Sequence, residues 1–414
     1  MPRPATVIFT AAHAGFAHEA VPLGGGGAVA DALIREWERT QPFALKVLTP
    51  SILAESPKGR DIVRFSERDY ARFCREFERA ATAVILEHPA STTAIIANDV
   101  SEGPDFRALA ARGYPVFTIY HVDVVAYIAA IYGRGWVKPE RLVRWFERMP
   151  SKPDILRLIF EKQRASVECS RGCIVPSQGM KDVMLRCYPA TDPARIHVLP
   201  WGTWAEALDT SAIGLRAEYA TPADAHVLVT LSRISPEKGQ HILLEALRGW
   251  NGDALWVFVC GEPAFMQGQR YFEKLQRLAA GLTNVRVIFP GYVAGARKRA
   301  FLELADLYIF PSIHESYGLT LLEALHAGAP AVCLDHLGAR GVMRPEFGAI
   351  VRDGRGMRQA IERLLADPAA RTRMGRAAKE YAATQPFAIP AQRLADVIRE
   401  ATQDTPASAP SHSD

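Results

Sequence analysis

Short apolar runs rich in valine, isoleucine, leucine and phenylalanine alternate with longer amphipathic stretches along this chain. This is the pattern of parallel strands buried on both faces by crossover helices. In the first half it predicts strands at 7–10, 45–48, 94–97, 116–119, 172–175 and 197–199. In the second half it predicts them at 227–231, 255–260, 286–289, 307–310, 331–334 and 349–351. Proline and glycine punctuate the changeover at Pro200-Trp201-Gly202-Thr203-Trp204, which reads as a hinge. The expected class is α/β, with two Rossmann-like, doubly wound parallel sheets facing each other across a cleft. The expected domains are residues 1–203 and 204–387, with a helix at about 388–402 packing back on the first and a disordered tail at 403–414. In such sheets ligands bind beyond the carboxyl ends of the strands, so function is sought in the loops there.

The length of 414 residues supports two cores rather than one. A hydrophobic fraction of 49% and a charged fraction of 23% are those of a globular protein, which excludes disordered and fibrous classes. No apolar run approaches the roughly 20 residues needed to cross a bilayer, and the amino terminus lacks a signal-peptide pattern. A cytoplasmic location is expected. The six cysteines are scattered, two of them in strand-like runs, which suits reduced thiols. Cys169 and Cys173 are spaced to share a helix face, yet no histidine or second cysteine pair nearby supports a zinc site. A net charge of +4 does not argue for nucleic acid.

Three features of the second half converge. After the strand at 227–231 come Ser232-Arg233-Ile234-Ser235-Pro236-Glu237-Lys238-Gly239, which put a guanidinium and an ammonium on a loop that opens to the cleft. A planar fork of donors and a mobile point charge suit a diphosphate. After the strand at 307–310, Glu315 lies in a loop and Glu323 inside the following helix. Between them the amides of Tyr317, Gly318, Leu319 and Thr320 form a helix amino end, an anion site that needs no side-chain charge. One carboxylate can accept from sugar hydroxyls and the other from a ribose diol. Gly328-Ala329-Pro330 then stops the helix.

From Leu228 to Cys333 these residues resemble the donor-binding half of the retaining GT-B glycosyltransferases of family four, which are related to the bacterial glycogen and starch synthases. Carrying the resemblance are Ser232-Arg233 with Lys238-Gly239, Val259-Cys260-Gly261, Gly291-Tyr292, Ala305-Asp306, the Glu315 to Glu323 motif and Ala327-Gly328-Ala329-Pro330. The first half is similar more loosely, through Val175-Pro176-Ser177 with Lys181 and through residues 195–202. The resemblance implies a GT-B fold and a nucleotide diphosphate sugar as co-substrate. It further implies that Arg233 and Lys238 hold the diphosphate, Glu323 the ribose and Glu315 the transferred sugar.

In the first half, the run Gly24-Gly25-Gly26-Gly27 opens a helix. Gly25, Gly27 and Ala30 satisfy a dinucleotide fingerprint, but the glycines lie well beyond the first strand and no acid follows the second at the ribose position. By similarity the loop, with Gly25 and Gly26, caps the cleft near the donor phosphates. His121 ends the strand at 116–119 and matches a family histidine, in a place to donate to the sugar or polarise a hydroxyl. Asp123 is displaced from the family's His-Asp pattern by Val122. Asp99, at another strand end beside Asn98, joins Asp123 as a candidate acceptor contact, and His13 and His18 follow as further candidates. Between Gly133 and Gly172 ten basic residues stand among five acids with Trp136, Trp145, Phe146 and Phe160 interleaved. A solvated helix face is the expectation, and peripheral contact with an anionic membrane is the alternative.

No Asp-x-Asp pair is present, so no metal and no other cofactor is expected, and charge neutralisation falls to Arg233, Lys238 and helix amides. The acceptor is a hydroxyl of a saccharide, a lipid-linked or a small molecule. An epimerase of the same fold and a glucan-elongating enzyme are the competing activities. After Leu334, the stretch Asp335-His336-Leu337-Gly338 replaces the family's usual glycine pair and acid.

Overall fold

The computed structural model describes residues 4–15, 24–62, 65–131, 137–204, 208–264 and 267–403. His18, Arg134, Trp136 and the tail from 404 lie outside the described residues. Six strands form the first sheet: β1 (Thr6–Thr10), β2 (Ala44–Leu48), β3 (Thr93–Ala97), β4 (Val116–Ile119), β5 (Gly172–Val175) and β6 (Ile196–Val198). Six more form the second: β7 (His226–Leu231), β8 (Leu255–Cys260), β9 (Val285–Gly291), β10 (Leu307–Phe310), β11 (Ala331–Leu334) and β12 (Gly348–Val351). Every pairing is parallel. Each predicted strand is present, with ends moved by one or two residues at most. The orders are β2-β1-β3-β4-β5-β6 and β12-β11-β10-β7-β8-β9. Strand order therefore reverses between β1 and β3 in one sheet and between β7 and β10 in the other, and such a reversal opens a crevice at the carboxyl ends.

Every residue of β3, β4, β5 and β8 is buried, which is why these strands read as unbroken apolar runs. The helix Glu67–Leu86 covers the first sheet with a stripe of Phe73, Phe77, Ala81 and Ile85, and Ser66 caps its start by accepting from the Asp69 amide. On the other face, the helix Gly25–Thr40 buries Val29, Ala30, Leu33 and Trp37. The Trp37 indole donates to the Ala391 carbonyl at 3.0 Å. Ala391 belongs to the last helix, Ala388–Gln403, whose Leu394, Ala395 and Ile398 share a core with Phe9, Trp37 and Ile119. The end of the chain thus returns to the first sheet.

Two chain crossings join the lobes side by side. The Thr203 amide donates to the Gln385 carbonyl at 2.6 Å, and the Phe387 amide donates to the Thr203 carbonyl at 2.9 Å. A side chain at Gly202 would begin 2.6 Å from the Gln385 oxygen, so only glycine admits this crossing.

All six cysteines are free thiols. Cys169 ends a helix while Cys173 lies in β5, so the two do not share a helix face. Within the basic stretch, Phe146 and Phe160 are buried and stacked 4.3 Å apart, and Lys162 is buried against Glu78 and the Pro104 carbonyl. These residues build a local core instead of an outward apolar face. On the helix Pro139–Arg148, Arg141, Arg144, Trp145 and Arg148 are exposed.

Replacing Leu394, which is fully buried, by alanine removes a side chain that seals the last helix onto the first sheet. Leu394→Ala is expected to lower stability by about 2–5 kcal/mol, read from the denaturant midpoint.

Candidate active site

The loops after β7 and β10, neighbours at the switch point, bring the cationic and acidic residues of the second sheet together. Gly239 makes this approach possible: its φ is +64°, and a side chain there would begin 2.0 Å from the Pro311 carbonyl. The Ile313 amide donates to the Glu237 carbonyl at 2.9 Å, which ties the loops. As a result the Lys238 ammonium lies 2.5 Å from Glu315 Oε1, to which the Ser312 hydroxyl also donates at 3.2 Å. Burial works against the Glu315 charge, but Lys238 outweighs it and holds the carboxyl below its ordinary range. Arg233 packs toward Glu237 at 3.9 Å and reaches the glycine loop of the first lobe, its Nη1 being 3.7 Å from where a Gly24 side chain would begin.

The helix Leu319–Ala327 starts at Gly318 without a side-chain cap, which leaves its first amides available to an anion. Leu319 packs so closely on Gly25 that a side chain there would begin 2.8 Å from its Cδ1. Thr320 Oγ1 accepts from the Tyr308 hydroxyl at 2.9 Å. Tyr317 turns its hydroxyl to the hinge, donating to the Trp201 carbonyl at 2.8 Å. Glu323 Oε1 receives the Lys298 ammonium at 2.6 Å and the Trp204 indole at 2.8 Å. Neither partner was legible in the sequence. Lys298 lies on the separate helix Gly295–Leu304, and Trp204 read only as part of the hinge.

A cavity of about 410 Å³ lies between the lobes, with His13, Gly25, Arg233, Lys238, Glu315 and Glu323 on its wall. A second, of about 350 Å³, shares Trp204, Lys298 and Glu323 with it. The structure thus brings Arg233, Lys238, Glu315, Glu323, Tyr317, Leu319 and Thr320 to one cavity with the glycine loop. Gly26 and His121 are not part of its wall, and they lie against each other: a side chain at Gly26 would begin 3.1 Å from His121 Cδ2. Among the described residues no group of three or more His, Cys, Asp or Glu is placed to hold a metal ion.

The strand ends of the first sheet carry a polar network in which Asn98, Asp99 and Glu102 are buried and His13 and His121 half-buried. His121 Nε2 is 3.0 Å from Asn98 Oδ1, Asn98 Nδ2 is 3.4 Å from Asp99 Oδ2, and Asp99 Oδ1 is 3.3 Å from His13 Nδ1. His13 Nε2 continues the series 3.5 Å from Glu102 Oε1. Burial opposes charge on His13, but Asp99 and Glu102 prevail and push it up to about 9. Burial pushes His121 down to about 4, so its ring is neutral at pH 7.

Two sequence expectations change here. Asp99 does not line the cavity: its carboxylate is taken up by the Ala12 amide, Asn98 and His13. Asp123 starts the helix Val124–Ile131, accepting from the Ala126 amide at 2.9 Å and from Gln163 Nε2 at 3.1 Å. Its Oδ2 is buried without a hydrogen-bond partner among the described residues, and burial raises its pKa. The departure after Leu334 also finds a physical place. His336 caps the next helix by accepting from the Ala339 amide, and the Gly338 amide donates to the Glu315 carbonyl at 2.9 Å. That stretch fastens the backbone of the acid.

Residues 214–381 match the family model described as glycosyl transferases group 1. The chain is 35% identical over 163 residues to the lipopolysaccharide core biosynthesis glycosyltransferase LpsE of Rhizobium meliloti, covering 38% of this chain and 45% of that protein. It is 32% identical over 272 residues to the D-inositol 3-phosphate glycosyltransferase of Kineococcus radiotolerans, covering 60% and 61%. The chain therefore spans about half to three-fifths of the length of these relatives. Among solved structures it is similar in fold to sucrose-phosphate synthase from Thermosynechococcus elongatus, at 19% identity and a TM-score of 0.70, covering 97% of this chain and all of that one. It is also similar to Anabaena HepE in complex with UDP and glucose, at 16% identity and a TM-score of 0.67, covering 96% and 100%. Two parallel sheets with reversed strand order, a cleft at their carboxyl edges and these structural likenesses show the GT-B fold, and the second lobe is similar to the glycosyl transferases group 1 over residues 214–381.

Proposed function

We propose that this protein is a retaining, metal-independent hexosyltransferase that moves a sugar from a nucleotide diphosphate donor to a hydroxyl acceptor. The observation that carries this reading is the meeting of Lys238 and Glu315, 2.5 Å apart, beside Arg233 and the uncapped helix at Leu319 in one interlobe cavity. The cations and amides suit the diphosphate, Glu315 the sugar hydroxyls and the second oxygen of Glu323 the ribose diol. HepE, solved with UDP and glucose, has the same fold and supports a nucleotide-sugar donor.

In this scheme the acceptor oxygen attacks the anomeric carbon on the face from which the diphosphate departs. The carbon–phosphate oxygen bond breaks, the new glycosidic bond forms, and the acceptor proton passes to the leaving phosphate oxygen. Fixed cations stabilise the negative charge that grows on the leaving group, and being already oriented they need no reorganisation during the step. The transition state is oxocarbenium-like and needs no protein nucleophile. The acceptor belongs to the saccharide, lipid-linked or small-molecule hydroxyls. Exposed Arg141, Arg144, Trp145 and Arg148 on one helix suit a protein that works in the cytoplasm against an anionic membrane surface.

A panel of uridine, guanosine and adenosine diphosphate hexoses is expected to contain at least one that raises the melting temperature, because binding to the native state stabilises it. No shift with any of them would refute the donor reading. With that donor, Lys238→Ala is expected to lower kcat/KM by about 10²–10³-fold, as measured by nucleotide release. Activity is expected to survive chelator without added magnesium or manganese, and the product to keep the donor's anomeric configuration by NMR. In flotation with anionic vesicles at low salt, replacing Arg141, Arg144 and Arg148 together by glutamine is expected to abolish co-flotation. Absence of the unaltered protein from the lipid layer would end the membrane reading.

A further inference from the structure

The network beneath the glycine loop has a direction that the chemistry of its members dictates. Both ring nitrogens of His13 face carboxylates, Asp99 at 3.3 Å and Glu102 at 3.5 Å, so both carry protons and the ring is an imidazolium. Asp99 is then an ionised acceptor, and its Oδ2 also takes the Ala12 amide at 3.0 Å. An acceptor oxygen of Asn98 turned toward this carboxylate would be repelled, so the amide group of Asn98 must point at Asp99. The Asn98 carbonyl oxygen is left facing His121 Nε2 at 3.0 Å, and an oxygen that can only accept requires the imidazole proton on Nε2. Nδ1 of His121 is then a bare lone pair, and it has no hydrogen-bond partner among the described residues.

We propose that Asn98, oriented by Asp99, is a positioning residue that fixes the tautomer of His121, so that the ring keeps its Nδ1 as a bare hydrogen-bond acceptor. The proposal rests on the donor reading of the cleft and narrows it. His121 takes the hydrogen of a sugar hydroxyl and does not donate to the sugar. The ring lies beside the glycine loop, its Cδ2 edge 3.1 Å from where a Gly26 side chain would begin and its centre 6.0 Å from the Trp201 ring, and Gly25 and Gly27 of that loop line the cavity. A neutral ring is also what burial among these groups produces, with Asp99 favouring the charge and His13 opposing it.

The test begins with ring ¹⁵N spectra of the full-length protein labelled at histidine, with His121 assigned by its loss in His121→Gln. Without any ligand, the His121 resonances are expected to show a protonated Nε2 and an unprotonated Nδ1 at neutral pH. A proton on Nδ1, or an imidazolium at pH 7, overturns the proposal. In Asn98→Ala the two tautomers are expected to mix while the melting temperature stays within a few degrees. An unchanged tautomer there also overturns it. In turnover, Asn98→Ala is expected to lower kcat/KM by about tenfold, the worth of one hydrogen bond. Asn98→Ala combined with His121→Ala is expected to be no worse than His121→Ala alone, because the asparagine acts through the histidine. Additive losses would assign Asn98 a separate role and overturn the proposal. Asn98→Asp, which sets a carboxylate against Nε2 beside Asp99 and His13, is expected to raise the acid limb of the kcat/KM profile toward neutral pH. Failure of every nucleotide sugar to bind would sink the transferase reading, while the ligand-free spectra would still decide the tautomer.

Discussion

An ammonium and a carboxylate held 2.5 Å apart at the junction of two loops set the chemistry of this cleft. Lys238 and Glu315 come from strands that neighbour one another only because the second sheet reverses its order between β7 and β10. Each serves as the counter-charge of the other, so neither is left as an uncompensated charge in a partly buried place. In the proposed reaction the diphosphate and the sugar would divide the pair, the ammonium turning to phosphate oxygens and the carboxylate to hydroxyls. Glu323 follows the same logic, with one oxygen occupied by Lys298 and the Trp204 indole and the other open.

The first lobe contributes geometry more than charge. Its glycine loop has no side chains to intervene, so Arg233 and Leu319 of the opposite lobe approach its backbone closely. Below the loop, Asn98, Asp99 and Glu102 of the polar network are buried and its two histidines half-buried, and buried polar groups hold their places only when each finds its partner. The two carboxylates here are turned inward to hold histidine and asparagine side chains in defined protonation and orientation. Of the charged groups in this network, only the His13 imidazolium lies on the cavity wall.

The two crossings between lobes, at Thr203 and at Gln385 to Phe387, are hydrogen-bonded to each other and stacked through Trp201 and Phe387. Tyr317, next to the helix Leu319–Ala327, bonds the backbone of Trp201. The crossings between the lobes are thus tied to Tyr317, which also lines the cavity.

Much of this was decided by sequence alone. Twelve apolar runs of strand length, broken by helical periods, allow no other economical arrangement than parallel sheets, because strands covered on both faces must be apolar throughout. Arg233, Lys238, Glu315 and Glu323 were legible because each sits at a fixed offset from such a run, and chain offset determines which end of a strand a loop leaves. Three-dimensional packing alone decided the partners. Lys298 reaches Glu323 from another helix, and His13 meets Asp99 from 86 residues away. The inward turn of Asp99 and Asp123 likewise depends on which amides and side chains lie beneath them. A hydrogen bond has a range of about 3 Å and a direction, and linear order carries neither once the chain has folded back on itself.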